Sequence, residues 1–139
     1  MTPCAPWKQA PRVPAASRRS SAFSFAWRRH LVYTSAVIGL SAITIAELEF
    51  GACGADDPEA ERARMERVLA PFARFDFGAN EPARQYGEVR SKLEAEGQGI
   101  GPNDLLIAAH ALALSATLVT NNGPEFKRVH GLKCENWAL

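Results

Sequence analysis

From residue 36 onward, short apolar segments alternate with longer segments of helical periodicity, and this alternation constrains the fold more than any other feature. Strands that alternate with helices favour an α/β fold with a mostly parallel sheet, covered by helices on both sides. Four segments have the length and composition of buried strands: Ala36–Ser41, Arg74–Phe77, Ala116–Thr120 and Gly131–Trp137. We therefore expect one α/β domain over residues 36–139.

The intervening segments carry helix start and stop signals. Ser41 or Thr44 can cap a helix that Gly51 and Gly54 would end. Pro58 begins a second helix, and its core face is predicted by the i, i+3, i+4, i+7 spacing of Met65, Val68, Leu69 and Phe72. Further helices are predicted over Glu81–Glu96, from Pro102 to about Ser115, and as a short turn over Pro124–Val129.

The charge distribution divides the chain near residue 35. Residues 1–35 contain six basic and no acidic side chains, whereas residues 36–139 contain ten basic and fifteen acidic ones. The first segment also has four prolines and no helical or strand periodicity, so we expect a disordered basic leader, unrelated to the domain. A second interpretation, an arm that targets the protein or binds nucleic acid through its charge, stays open.

Membrane insertion and a disulfide framework are both disfavoured by the sequence. No apolar run is long enough to span a bilayer, so we expect no membrane partner. The three cysteines are far apart and form no C-x-x-C pair, which argues against zinc binding and suits a reducing compartment, here the cytoplasm.

Polar residues lie where the predicted strands end, which is where parallel α/β sheets bind ligands. Asn121, Asn122 and Glu125 follow the third strand, and Glu47 lies in the helix after the first. Asp104 begins another helix, either as an acid that matches the helix dipole or as a carboxylate placed for a ligand. The asparagines could equally form a simple turn.

Glu47 and Glu49 are about 200° apart around their helix, so they cannot face one site. Glu47 shares its face with Ile43, Phe50 and Gly51, which we expect to be packed. A carboxylate on a packed face needs a partner such as a cation. The histidines are not spaced as metal ligands, and His110 is expected in the core or at its rim. Phosphate-binding and serine-hydrolase motifs are absent from the sequence.

Three segments together resemble the PIN-domain toxins of VapC type: Ser41–Gly51 (SAITIAELEFG), Ile100–Asn122 (IGPNDLLIAAHALALSATLVTNN) and Glu125–Trp137 (EFKRVHGLKCENW). The resemblance covers about residues 36–139 in the family's order and spacing. It implies a PIN-like three-layer α/β fold with a mostly parallel sheet flanked by helices. The implied activity is that of an endoribonuclease dependent on Mg²⁺, or on Mn²⁺ in its place. The implied partners are an RNA substrate, a cognate antitoxin and a second copy in a homodimer.

The resemblance also implies functional residues. Its catalytic residues are Glu47, Asp104 and Asn122, of which Asp104 and Glu47 would bind the metal, and its supporting loop contains Thr120, Asn121 and Glu125. Oxygen ligands of this kind suit Mg²⁺, which takes one or two carboxylates and keeps several waters. A bound ion would polarise the scissile phosphate and activate water.

This chain departs from the family at its beginning. The family's first strand ends in an aspartate, but residues 1–35 contain no acidic residue, so the resemblance covers a partial, N-terminally truncated PIN domain. Two hypotheses follow. The chain is a ribonuclease toxin whose activity is impaired by the loss of that aspartate, or it is a catalytically inactive remnant that only binds an antitoxin.

Overall fold

The computed structural model describes residues 38–137, so the basic segment lies outside the described residues. Strands and helices alternate along the described chain as the sequence predicts. Their bounds are β1 Gly39–Ser41, α1 Ala42–Cys53, α2 Pro58–Leu69, β2 Ala73–Phe75, α3 Glu81–Ala95, α4 Pro102–Ala113, β3 Thr117–Val119, α5 Gly123–Phe126 and β4 Lys133–Glu135.

All strand pairing in this region is parallel, which confirms the predicted α/β class. β1 pairs with β2, and β3 pairs with β4. Residues 38–137 therefore contain two separate two-stranded sheets instead of the single sheet that we expected. Parallel pairs place the ends of neighbouring strands at one edge, so the residues after β3 lie beside those after β4.

Local capping explains where the first two helices begin. The Ser41 hydroxyl accepts a hydrogen bond from the Ile43 backbone N–H at 3.2 Å, and the Asp57 carboxylate accepts one from the Ala60 N–H at 3.1 Å. Pro58 occupies the first position of α2, where a missing N–H costs nothing. Ser41, one of the two predicted caps, is the residue that caps α1.

Helix α4 forms the centre of the core. The run from Ile107 to Ala111 is buried, and Ala108 and Ala109 are fully inaccessible to solvent. Ile107 and Ala108 of this run pack in one cluster with Leu93 of α3, Leu105 at the start of α4, and Phe126 and Val129 from the α5 region. A helix that is apolar around its whole circumference is expected to be buried on all sides. The site residues of the first turn of α4 are thus attached to a helix that is buried along most of its length.

Helix α4 ends two residues before the predicted position. Ser115 adopts a left-handed conformation with φ of 52°, and the Ala116 N–H donates to the Ala111 carbonyl at 2.9 Å. This six-residue hydrogen-bonded loop is a Schellman motif, which usually places glycine where this chain has serine. The turn leads directly into β3, so it sets the distance between the start of α4 and the residues after β3.

The helices and cysteines of residues 38–137 were also compared with what membrane spans and disulfide bonds require. No helix within residues 38–137 is long and apolar enough to cross a membrane. Cys53 is exposed and Cys134 partly buried, and both are free thiols.

Candidate active site

Asp104 lies in the first turn of α4 and is partly buried. Its Oδ2 accepts a hydrogen bond from Nδ2 of Asn122 at 3.0 Å. Asn122 is itself held by the buried Thr120, whose hydroxyl accepts from the Asn122 backbone N–H at 3.0 Å. The Thr120 N–H donates to the carbonyl of Glu135 at 2.9 Å, which ties this loop to the end of β4. The end of the β3–β4 sheet therefore orients the Asp104 carboxylate.

Glu125 brings a second carboxylate into contact with Asp104. The two side chains share a hydrogen bond, and Oε2 of Glu125 also accepts from the Gly101 backbone N–H at 3.4 Å. A Cβ atom built on Gly101 would lie 3.6 Å from Oδ2 of Asp104 and 4.0 Å from Oε2 of Glu125. The turn before α4 therefore lies against both carboxylates. Glu125 thus lies at the centre of the cluster together with Asp104.

Glu47 lies at the rim of this cluster. Its Oε1 accepts a hydrogen bond from Nδ2 of Asn103 at 3.0 Å, so its carboxylate is held beside Asp104 by the preceding residue of α4. Its negative charge acts on Asp104 through space. The three acidic side chains thus come from α1, α4 and α5, and they converge on the start of α4.

The pKa values of the contacting pair move in opposite directions. The pKa of Asp104 is raised to about 6, first by burial and then by the hydrogen bond to Glu125 and the charges of Glu125 and Glu47, while the Asn122 amide opposes the shift. The hydrogen bond from Asp104 and the Gly101 N–H lower the pKa of Glu125. The two carboxyl groups therefore lose their protons as a pair and not independently.

A helix N-terminus by itself lowers the pKa of an acid, because the dipole favours the ionised form. The pKa of Asp104 is raised instead, so dipole matching alone does not account for this residue. Burial is the first cause of this shift, and the neighbouring charges of Glu125 and Glu47 add to it, so a cation would stabilise the ionised form of Asp104.

The donor set has the chemistry of a hard-cation site. Asp104, Glu125, Glu47 and Asn122 offer carboxylate and amide oxygens, which Mg²⁺ and Mn²⁺ prefer. Within residues 38–137, no three His, Cys, Asp or Glu side chains are already close enough to enclose a metal ion. Two contacting carboxylates with a third at the rim match an ion that keeps several waters and binds substrate phosphate.

Asn121 of the predicted supporting loop is exposed, and its Oδ1 accepts a hydrogen bond from Nδ2 of Asn136 at 3.4 Å. The expectation of a packed face around Glu47 was wrong, since Phe50 is 64% exposed. α1 buries Thr44 and Ala52 instead, and only Ile43 from the predicted face packs against the core.

Asn103 and Gly101 were missed by the sequence reasoning. Asn103 contacts Glu47 and Gly101 contacts Glu125, and both contacts join residues more than 20 positions apart. Their place in the stretch GPND, next to Asp104, was the available signal.

Comparison with known proteins identifies the family. The PIN domain model matches residues 15–132, a range that begins within the basic segment. Ribonuclease VapC2 of Rickettsia felis is 45% identical over 100 residues, which cover 72% of this chain and 74% of that protein. The tRNA(fMet)-specific endonuclease VapC of Shigella flexneri is 36% identical over 99 residues, covering 71% and 74%.

A solved structure agrees with these relatives. The VapBC2 complex of Rickettsia felis, bound to a DNA fragment from its promoter, contains a chain that superposes with a TM-score of 0.74 at 42% identity. The superposition covers 78% of this chain and 80% of that one. A family match over most of the sequence, relatives of this identity and the shared fold together show that the chain belongs to the PIN-domain family, in its VapC-type ribonuclease toxin branch.

Proposed function

We propose that this chain cleaves RNA at the Asp104 site with a bound divalent cation, Mg²⁺ or Mn²⁺, as the toxin of a toxin–antitoxin pair. The observation that carries the proposal is the contact between the Asp104 and Glu125 carboxylates at the start of α4, with Glu47 beside them. Gathered carboxylates repel one another, and a divalent cation offsets that repulsion. Membership of a ribonuclease branch supports RNA as the substrate.

The residues of the chain have distinct roles in this proposal. Asp104 and Glu47 hold the cation, Glu125 completes the acidic wall, and Asn122 keeps the Asp104 carboxylate in place through its amide. Thr120 positions Asn122 through its hydroxyl. When bound, the cation would polarise the scissile phosphate and lower the pKa of an attacking water. Residues 36–139 carry five more acidic than basic side chains, so they give RNA no broad electrostatic attraction.

The partners follow from the same family membership. Several of the similar structures are VapBC complexes, and the one from Mycobacterium tuberculosis belongs to the VapBC family of toxin–antitoxin systems. We propose that a cognate antitoxin binds this chain and inhibits cleavage, that the chain works in the cytoplasm, and that it forms a homodimer. Structured RNA such as tRNA is the first substrate to test, since one relative is named for its action on tRNA(fMet).

The alternative, an inactive remnant that only binds an antitoxin, rests on the absence of acidic residues from positions 1–35. The arrangement around Asp104 favours the active form, because two carboxylates suffice for Mg²⁺.

The full chain should cleave a tRNA mixture in Mg²⁺ or Mn²⁺ and stop when a chelator is added. The products are resolved on a denaturing gel, with the Glu49→Gln variant as a matched control, because Glu49 pairs with Arg62 on α2, away from the site. Equal cleavage in the chelator would disprove the metal mechanism. A folded chain that binds its antitoxin without cutting RNA in either metal would support the remnant.

A further inference from the structure

A cavity of about 240 Å³ lies between α3 and the turn before α4. Buried Leu93 and Leu105 and half-buried Ile100 give it an apolar floor, and Tyr86, Arg90 and Pro102 lie along its sides. Its volume is below the range of about 300–1,000 Å³ for sites that take drug-sized ligands. It therefore suits a single flat ring system.

The side chains at its mouth favour an aromatic ligand linked to an anion. The Arg90 guanidinium carbon lies 6.0 Å from the centre of the Tyr86 ring, and Nη1 of Arg90 donates to the Tyr86 hydroxyl at 3.1 Å. Unpaired RNA bases are commonly held by stacking on an aromatic ring or on a guanidinium plane. Arg90 also pairs with Glu94 at 2.7 Å, an exposed ion pair that costs little to rearrange.

The cavity adjoins the acidic cluster through one short segment. Pro102 and Leu105 line the cavity, and they flank Asp104 in the first turn of α4. On the other side of the same turn, the Gly101 N–H contacts Glu125. The segment is held from outside as well, because Nη1 of Arg128 donates to the Gly99 carbonyl at 3.2 Å. The cavity and the acidic cluster therefore lie on either side of the same short turn.

We infer that this cavity binds one unpaired base of the RNA substrate, next to the cleaved phosphate, and that Tyr86 and Arg90 set the sequence preference. The inference rests on the proposed ribonuclease function and adds a base-recognition site to it. An apolar floor beside a tyrosine ring and a guanidinium fits a base with its attached phosphate, because the guanidinium can exchange its exposed pairing with Glu94, which also lines the cavity, for the phosphate.

The test measures binding, so it does not depend on cleavage. The full chain, kept in a chelator, is titrated with short single-stranded oligoribonucleotides that carry a fluorescent adenine analogue at one position. Base stacking quenches the analogue and reports its burial. Tyr86→Ala should weaken the affinity about 10-fold or more and abolish the quenching, whereas Tyr86→Phe, which keeps the ring, should retain both.

Arg84→Ala is the matched control for Arg90→Ala. Both arginines are exposed on α3 and form ion pairs with glutamates of the same helix, but Arg84 does not line the cavity. Arg90→Ala should weaken binding and Arg84→Ala should not. Unchanged binding and quenching in folded Tyr86→Ala would overturn the inference. So would a loss of antitoxin binding or of dimer formation with intact RNA binding, which would assign the cavity to a protein partner. Failure of the ribonuclease proposal itself would appear separately, as absence of metal-dependent cleavage by the unaltered chain.

Discussion

Asparagine in place of Asp104 should reduce metal-dependent RNA cleavage by at least about 100-fold, and it should also make the metal-free protein more stable. Cleavage falls because the substitution replaces the carboxylate that holds the cation with an uncharged amide. Stability rises because the folded state holds Asp104 with a raised pKa, about 6. An acid with a raised pKa contributes stability at pH values below its unfolded pKa, and this contribution is lost as the pH rises through the folded pKa.

Above pH 6 the ionised Asp104 therefore costs the metal-free protein free energy, about 1 kcal/mol once solvent screening of this partly exposed group is included, and the uncharged amide removes that cost. An asparagine at 104 can still accept the hydrogen bond from Asn122 and donate one to Glu125, so no polar group is left unpaired. Denaturant unfolding at pH 8 in a chelator measures the gain, and RNA cleavage measures the loss. Wild-type cleavage by the Asp104→Asn variant would contradict the assignment, as would a loss of stability comparable to that of a core substitution.

Alanine in place of His110 should lower the free energy of unfolding by about 2–4 kcal/mol, the usual cost of removing a large buried side chain. The residue is 1% exposed, its Nδ1 bonds the Ser41 hydroxyl at 2.8 Å, and its ring meets the Phe77 ring edge-on at 5.5 Å. Its loss leaves a cavity beside α4 and removes a hydrogen bond that joins α4 to the cap of α1. His130→Ala is the matched control, since that histidine is exposed and its removal should change stability by less than about 0.5 kcal/mol.

His110 also makes stability depend on pH in the opposite sense to Asp104. Burial lowers the pKa of His110, and the Asp76 backbone and carboxylate oppose this only in part. Nε2 has no partner that meets hydrogen-bond geometry, so protonation would bury a charge that Asp76 offsets only in part. The stability contributed by neutral His110 is present above its unfolded pKa, near 6.5, and is lost as the pH falls through the lower folded value.

The effect of His110 on stability is measured most clearly in the Asp104→Asn variant, because the opposing titration of Asp104 is absent there. That variant should lose stability between pH 7 and pH 5, and the added His110→Ala change should flatten the curve. An equally steep loss of stability in the double variant would show that another group is responsible.

The helix starts could be predicted because they depend on local chemistry. Ser41 and the Asp57–Pro58 pair each satisfy free backbone groups within their own turn, so the sequence alone locates them. The end of α4 was less predictable, because Ser115 takes a conformation that glycine usually supplies.

The candidate site was predictable in its members and less so in its geometry. The rule that ligands gather at the ends of parallel strands selected Asn122, and the family resemblance selected Asp104; the two side chains do contact each other. The contact between Asp104 and Glu125 depends on how α5 folds back toward Gly101, and no local pattern reports that. Phe50 was misjudged because helix periodicity gives the apolar face but not the direction in which the rest of the domain packs. The aspartate expected from the family's first strand concerns residues outside 38–137.

The most direct test of the account is the binding of Mn²⁺ alone to the full chain, followed by electron paramagnetic resonance of the free ion. The unaltered protein should bind about one Mn²⁺ per chain, as expected of one carboxylate site, and Asp104→Asn should weaken that binding by at least about 10- to 100-fold. Glu49→Gln should bind like the unaltered chain. Equal Mn²⁺ affinity in the Asp104→Asn variant, or no binding by the unaltered protein, would contradict a cation site at Asp104.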